Sequence, residues 1–171
     1  MKVILVSSEA TYVKDNYLSL VKTLTDKNKL PAGVEIIAFV LIKTVSFKMF
    51  LKMLALMCMG VFGLPTAFIK NMYTALFCDG RKKHCEGLNI PVFTFKTING
   101  ADAIAKIKEL APDLIINART RNIYKKEILG IPNIGCINVH HGMLPENRGT
   151  MCDLCALYEG RPVVFSVHCI N

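Results

Sequence analysis

Tryptophan is absent from this chain, and acidic residues are few, thirteen against twenty-one lysines and arginines, leaving a formal charge of +8. The basic residues are dispersed, with only Arg81-Lys82-Lys83 clustered, and no basic stretch is interleaved with aromatics. That argues against a base-stacking platform and against nucleic acid as a partner, and favours a solvated basic face that suits small anionic ligands. A secretory signal is also missing. Met1-Lys2 runs straight into Val3-Ile4-Leu5-Val6, too short an apolar run and without a small-residue cleavage site. A cytoplasmic setting with reduced thiols is therefore expected, association with a membrane surface remaining open. The seven cysteines are an odd number, and the one C-x-x-C, Cys152 and Cys155, has no second pair at zinc-site spacing. These two read as buried helix cysteines, and no metal is expected. Internal repeats and low-complexity tracts are lacking as well.

What is present is a hydrophobic fraction of 52% in 171 residues, enough for one domain with a substantial core. Val3 to Ser7 is continuously apolar, as a strand buried on both faces should be. A helical face from Thr11 to Asp26 follows, then a Pro31-Ala32-Gly33 turn and a second strand over Val34 to Ile42. Residues 79–89 are polar and basic and suit an exposed loop or helix end. Further strands are expected at Ile90–Phe95, Leu114–Asn117, Gly135–Val139 and Val163–Cys169. Helices are expected at Asn99–Leu110, Lys125–Leu129 and Thr150–Glu159. This alternation describes an α/β fold, an open and mostly parallel Rossmann-like sheet with helices on both faces.

From Met53 to Ile69 no residue is charged, and Lys48 and Lys52 precede this run on one helical face. It is slightly short for a spanning helix, which needs about twenty apolar residues, and Gly60, Gly63 and Pro65 interrupt it. A helix lying in a bilayer interface with its lysines toward lipid phosphates is one reading. The leading one is a buried helix pair broken at the glycines and proline.

Polar residues concentrate after the fourth and fifth strands, where open parallel sheets bind their ligands. The fourth leads into Asn117-Ala118-Arg119-Thr120-Arg121-Asn122, the fifth into Asn138-Val139-His140-His141-Gly142. Asn138 and His140 stand two apart, so a strand points both to one side and turns His141 away. An amide donor beside an imidazole suits acyl or formyl transfer, one stabilising an oxyanion and the other handling protons. Spacing alone also fits a structural pair at a strand end.

The stretch Pro112-Asp113-Leu114-Ile115-Ile116-Asn117, with Asn138-Val139-His140, Leu144-Pro145, Arg148-Gly149 and Ser166-Val167-His168, resembles the folate-dependent formyltransferase family over roughly Ile90 to Asn171. That family includes the enzymes formylating glycinamide ribonucleotide, methionyl-tRNA and nucleotide-linked amino sugars. The resemblance implies 10-formyltetrahydrofolate as formyl donor and a small-molecule amine as acceptor, phosphorylated or nucleotide-linked. Asn138 would bind the formyl oxygen and His140 would move protons. The loop Arg121, Asn122, Ile123 and Tyr124 would line the pteridine pocket. Three departures stand out. His141 and Gly142 replace a small residue or proline and a serine, the folate loop is more basic, and the family's third catalytic residue, an Asp after the strand of His168, would fall beyond Asn171. The expectation is thus one formyltransferase-like catalytic domain over residues 1–171, incomplete at its C-terminus. A nucleotide-linked amino sugar is the expected acceptor; glycinamide ribonucleotide, or a non-catalytic folate- or nucleotide-binding fragment, is the alternative.

Overall fold

A computed structural model describes residues 1–170 except Tyr12, Val45, Arg121, Asn147, Thr150 and Met151, and describes Lys14, Asp153 and Leu154 by backbone alone. In chain order the elements are β1 (Lys2–Ser8), α1 (Leu18–Thr25), β2 (Glu35–Ile42), α2 (Phe47–Cys58), α3 (Gly63–Phe77), α4 (Gly80–Gly87), β3 (Val92–Phe95), α5 (Ala101–Leu110), β4 (Leu114–Ala118), α6 (Lys126–Leu129), β5 (Gly135–His141), α7 (Cys152–Tyr158) and β6 (Phe165–Ile170). The strands form one sheet in the order β3-β2-β1-β4-β5-β6. All neighbours run parallel except β5 and β6, which are antiparallel.

Alternation along the buried strands divides the core into two layers. Ile4, Val6, Ala38, Val40 and Ile115 face α5 and α6 through Ile107 and Ile128. Val3, Leu5, Phe39 and Leu41 face α1 and α4 through Val21 and Cys85. Each such aliphatic side chain contributes roughly 1.5–3 kcal/mol when fully buried, so the centre of the sheet is its best-anchored part. This is the open, mostly parallel sheet with helices on both faces that the alternating pattern anticipates.

Three local readings need correction. The first helix begins at Leu18, not near Thr11. Asp15, Asn16 and Tyr17 all take positive φ, and the Asn16 side chain is committed elsewhere. Its Oδ1 accepts from Thr11 N at 2.7 Å, and its Nδ2 donates to Asn71 O at 2.9 Å. Asn and Asp tolerate left-handed backbone better than most residues, and the buried side-chain bonds hold the segment there.

The second correction concerns residues 79–89, expected as an exposed loop or helix end: Gly80–Gly87 form a helix of their own, α4, with Arg81 and Cys85 buried. Asp79 caps it, its Oδ1 accepting from Arg81 N at 2.9 Å. Arg81 is fully buried instead of joining a solvated basic face. Its guanidinium meets both Asp79 oxygens, at 3.1 and 2.8 Å, and donates to the carbonyls of Ser8 at 2.9 Å and Glu9 at 2.6 Å. It therefore satisfies the carboxyl end of β1 as well as one carboxylate.

The third is the apolar segment. It does form a broken helix pair, α2 capped by the Ser46 hydroxyl and ended at Gly60, whose φ of 84° favours a residue without Cβ. Yet the pair is only partly buried. Met53, Phe68 and Ala75 pack against Ala10, while much of its remaining apolar surface faces outward. No helix among the described residues is long and apolar enough to cross a membrane.

Candidate active site

Registration between three strands builds the site. Asn117 on β4 lies opposite Asn138 on β5. The antiparallel β6 places His168 opposite Asn138 and Ser166 opposite His140. Opposed residues share a face, so Asn117, Asn138, His140, Ser166 and His168 all project from the α5–α6 side of the sheet near its carboxyl edge. Cys136, two residues before Asn138, belongs to the apolar core on that same side. The polar group therefore sits directly above dry packing.

Hydrogen bonds orient the amide. Asn117 is buried; its Oδ1 accepts from Thr120 N at 2.9 Å, which leaves its Nδ2 to donate to Asn138 Oδ1 at 3.0 Å. The Asn138 Nδ2 is thereby turned toward His168 Nε2, 3.1 Å away. His168 Nδ1 lies 2.9 Å from its neighbour's carbonyl, Cys169 O. A carbonyl can only accept, so Nδ1 carries the hydrogen and Nε2 accepts from Asn138. One Asn138 N–H is used in this way, and the second has no partner among the described residues.

The His140 ring stands edge-on to that of His168, with centroids 6.4 Å apart, and its Nε2 lies 3.6 Å from the Cys152 thiol on α7. His140, Leu144, Pro145, Arg148, Gly149 and His168 line an open cleft of about 380 Å³. None of these lining residues is a carboxylate. The β5–α7 loop is tied to β6 through Ser166, whose hydroxyl donates to Gly142 O at 2.7 Å and accepts from Leu144 N at 3.3 Å. His141 faces the other side of the sheet, edge-on to Tyr17 and Phe165.

Of the loop expected to hold the pteridine, Arg121 lies outside the described residues. Asn122 Oδ1 accepts from Thr97 Oγ1 at 2.7 Å and Ile98 N at 3.3 Å, pinning the loop to the start of α5. Ile123 exposes its side chain, while its carbonyl accepts from Asn99 Nδ2 at 2.9 Å. Tyr124 is in the core, and its hydroxyl and that of Thr120 are buried with no hydrogen-bond partner among the described residues. Burial pushes the Tyr124 phenol well above its ordinary range, the Cys136 thiol adds to this, and proximity to Thr120 opposes it. The structure thus puts Asn138 and His140 on one strand face, with His140 and the Asn138 partner His168 lining one cavity. Residues 122–124 are held by the neighbouring loop and the core.

A larger concavity of about 500 Å³ opens at the amino ends of β4 and β5, between Pro112, Lys126 and Asn133. It lies at the opposite edge of the sheet from the strand ends where such folds bind ligands. Among the described residues no three metal-ligating side chains converge. Sequence reading named Asn117 at a loaded strand end and Ser166 and His168 within the family resemblance, but gave none of them, nor Cys152, a role in the site.

Comparison with known proteins bears on the family and the fold. The formyl transferase family pattern matches residues 72–171, more than half of the chain, and the chain belongs to that family. It is 47% identical over 62 residues to methionyl-tRNA formyltransferase from Clostridium acetobutylicum, a match covering 36% of this chain and 20% of that protein. Methionyl-tRNA formyltransferase from Clostridioides difficile is 48% identical over 61 residues, with the same two coverages of 36% and 20%. The matched part therefore spans about a fifth of the length of these curated relatives. Among solved structures, phosphoribosylglycinamide formyltransferase from Anaplasma phagocytophilum superposes with a TM-score of 0.62 at 15% identity, over 99% of this chain and 64% of that one. A sugar N-formyltransferase from a Shewanella species gives 0.52 at 18% identity, over 100% of this chain and 51% of that one. At these identities the structural likeness speaks for the fold.

Proposed function

We propose that the cleft at the carboxyl ends of β4 and β5 serves transfer of a formyl group from 10-formyltetrahydrofolate to a primary amine. One observation carries this reading: Asn138, oriented by Asn117, and His140 project from one strand face, and His140 lines a cavity of about 380 Å³ together with His168, the residue to which Asn138 donates. That volume lies at the small end of ligand pockets, enough for the reacting end of a folate. Bound there, the folate supplies an activated formyl carbon. The free N–H of Asn138 donates to the oxygen on which negative charge develops, and its direction is set in advance by Asn117. His140 takes the proton from the attacking amine as the new carbon–nitrogen bond forms, and returns it to the departing folate nitrogen as the old carbon–nitrogen bond breaks. Leu144 and Pro145 keep one wall apolar, which strengthens both interactions by excluding water.

The acceptor we favour is a nucleotide-linked amino sugar, because Arg148 lines the cavity and the chain carries a charge of +8, both suited to a diphosphate. A panel of nucleotide-linked amino sugar, glycinamide ribonucleotide and methionyl-tRNA, each offered with 10-formyltetrahydrofolate, tests the choice. Faster formylation of the sugar supports it, and preference for either other acceptor refutes it. A second reading is folate recognition without turnover, favoured by the Cys152 thiol against His140 Nε2 and by the absence of a carboxylate among the described cavity-lining residues. Saturable folate binding with no product from any of the three acceptors would establish that reading instead.

A further inference from the structure

The α2–α3 hairpin presents a surface that the proposed chemistry does not use. Phe47, Leu51, Leu54 and Cys58 form one exposed stripe along α2, beside a parallel exposed stripe containing Lys48 and Lys52. At the tip, Met59 is 76% exposed and Phe62 58%, with Val61 and Leu64 also outside. Along α3, Tyr73, Leu76 and Phe77 continue the apolar surface. Scattered apolar residues are ordinary on a protein surface; exposed apolar residues running along both helices and around their shared tip are not.

Charge identifies the occupant. Between Glu35 and Asp79 there is no acidic residue, and the four charged residues are all lysines, each of them exposed. Their positions matter as much as their sign. Lys52 lies eight residues before Gly60 and Lys70 seven after Gly63, about 12 and 10 Å back along the helix axes. An interfacial helix sinks its apolar face about 5–10 Å into the headgroup boundary, so lysines at that setback reach lipid phosphates while the uncharged tip enters the acyl region. A second copy of this chain on the same face would bring lysines against lysines. We infer that the α2–α3 hairpin docks this protein on an anionic lipid surface, tip inserted and lysines at the phosphates, without crossing the bilayer.

The hairpin is also firmly joined to the body. Asn71 on α3 donates to Thr11 O at 2.9 Å and to Val13 O at 2.6 Å, and accepts from Asn16. Docking by the tip therefore fixes the orientation of the whole sheet. The hairpin leaves β2 at its carboxyl end and packs on Ala10, just beyond that of β1. This is the edge of the sheet that holds the cleft.

Because the chain has no tryptophan, Phe62→Trp places a single fluorescent reporter at the tip of an otherwise unchanged surface. Vesicles of phosphatidylcholine containing phosphatidylglycerol should blue-shift its emission and sediment the protein, and pure phosphatidylcholine should do neither. Replacing Met59 and Phe62 with serine should weaken binding about tenfold or more through lost apolar burial. Lys52→Glu with Lys70→Glu should weaken it at least as much, at about fivefold per lysine removed, as should raising salt from about 0.1 M to about 1 M. Unchanged melting of these variants would show that the fold is kept. Unshifted emission with both vesicle types would overturn the inference. So would a lipid-independent dimer that the serine replacements dissolve, which would make the hairpin a self-association surface.

Discussion

Removing Arg81 should unfold this protein more readily than any other single change of a charged residue. In Arg81→Met the stem volume is kept, but four hydrogen bonds go, two from Asp79 and two from the carbonyls that end β1. The Asp79 side chain is only 4% exposed, so its carboxylate is left in the interior without its cation. Breaking a buried pair from one side costs about 3–5 kcal/mol, because the remaining charge has lost its compensation. For a chain of this size each kcal/mol lowers the melting temperature by about 2–4 °C, giving a drop of roughly 6–20 °C. Thermal unfolding followed by circular dichroism measures it. The double change Asp79→Asn with Arg81→Met should recover part of the loss, a coupling of about 0.5–3 kcal/mol. A melting temperature within about 2 °C of the parent for Arg81→Met alone would refute the reasoning, and would place the guanidinium in solvent.

Two further outcomes follow from the same geometry. Asn117→Asp keeps an acceptor for Thr120 N but removes the donor to Asn138 Oδ1, so the Asn138 amide should turn over and withdraw its N–H from the cleft. Calorimetric affinity for a 10-formyl folate analogue should fall about tenfold, equivalent to about 1.4 kcal/mol, with the fold intact; unchanged affinity would contradict the assigned orientation. Thiol labelling near pH 8 should find Cys58, Cys78, Cys155 and Cys169 reactive and Cys85 and Cys136 protected. Burial pushes both protected thiols up to about 11, with Asp79 adding to the effect at Cys85. The unfolded chain ionises these thiols first, from its ordinary range near 9, so the stability they lend is whole below pH 9 and is lost as pH rises toward 11. Equal labelling of all seven, or constant stability over that window, would count against their burial.

The sheet was legible because its strands obey simple rules. Val3 to Val6 and Ile36 to Ile42 are apolar without alternation, as strands buried on both faces require, and residues 101–110 repeat at helical period. The Asn138–His140 side was legible too, since a two-residue spacing means one face whatever the tertiary context. What stayed hidden depends on contacts distant in sequence. Arg81 read as surface because nothing near it in the chain announces that it will meet the carbonyls of Ser8 and Glu9, more than seventy residues earlier. The helix start at Leu18 is shifted by Asn71, again far along the chain. His168 and Ser166 join the cleft only because β6 pairs antiparallel with β5, and strand order is not written in local pattern. The apolar run from Met53 to Ile69 was correctly seen as an interrupted helix, but hydropathy alone did not reveal which of its faces would be left outside.

The most direct test of the cleft uses the chain's four histidines, His84, His140, His141 and His168. Ring resonances followed by NMR during titration with a 10-formyl folate analogue report where the ligand sits. His140 and His168, which line the cavity, should shift together and saturate; His84, bonded to Thr25 on the far layer, should stay still. Still His140 and His168 signals at saturating ligand, or a response confined to His84, would contradict the site.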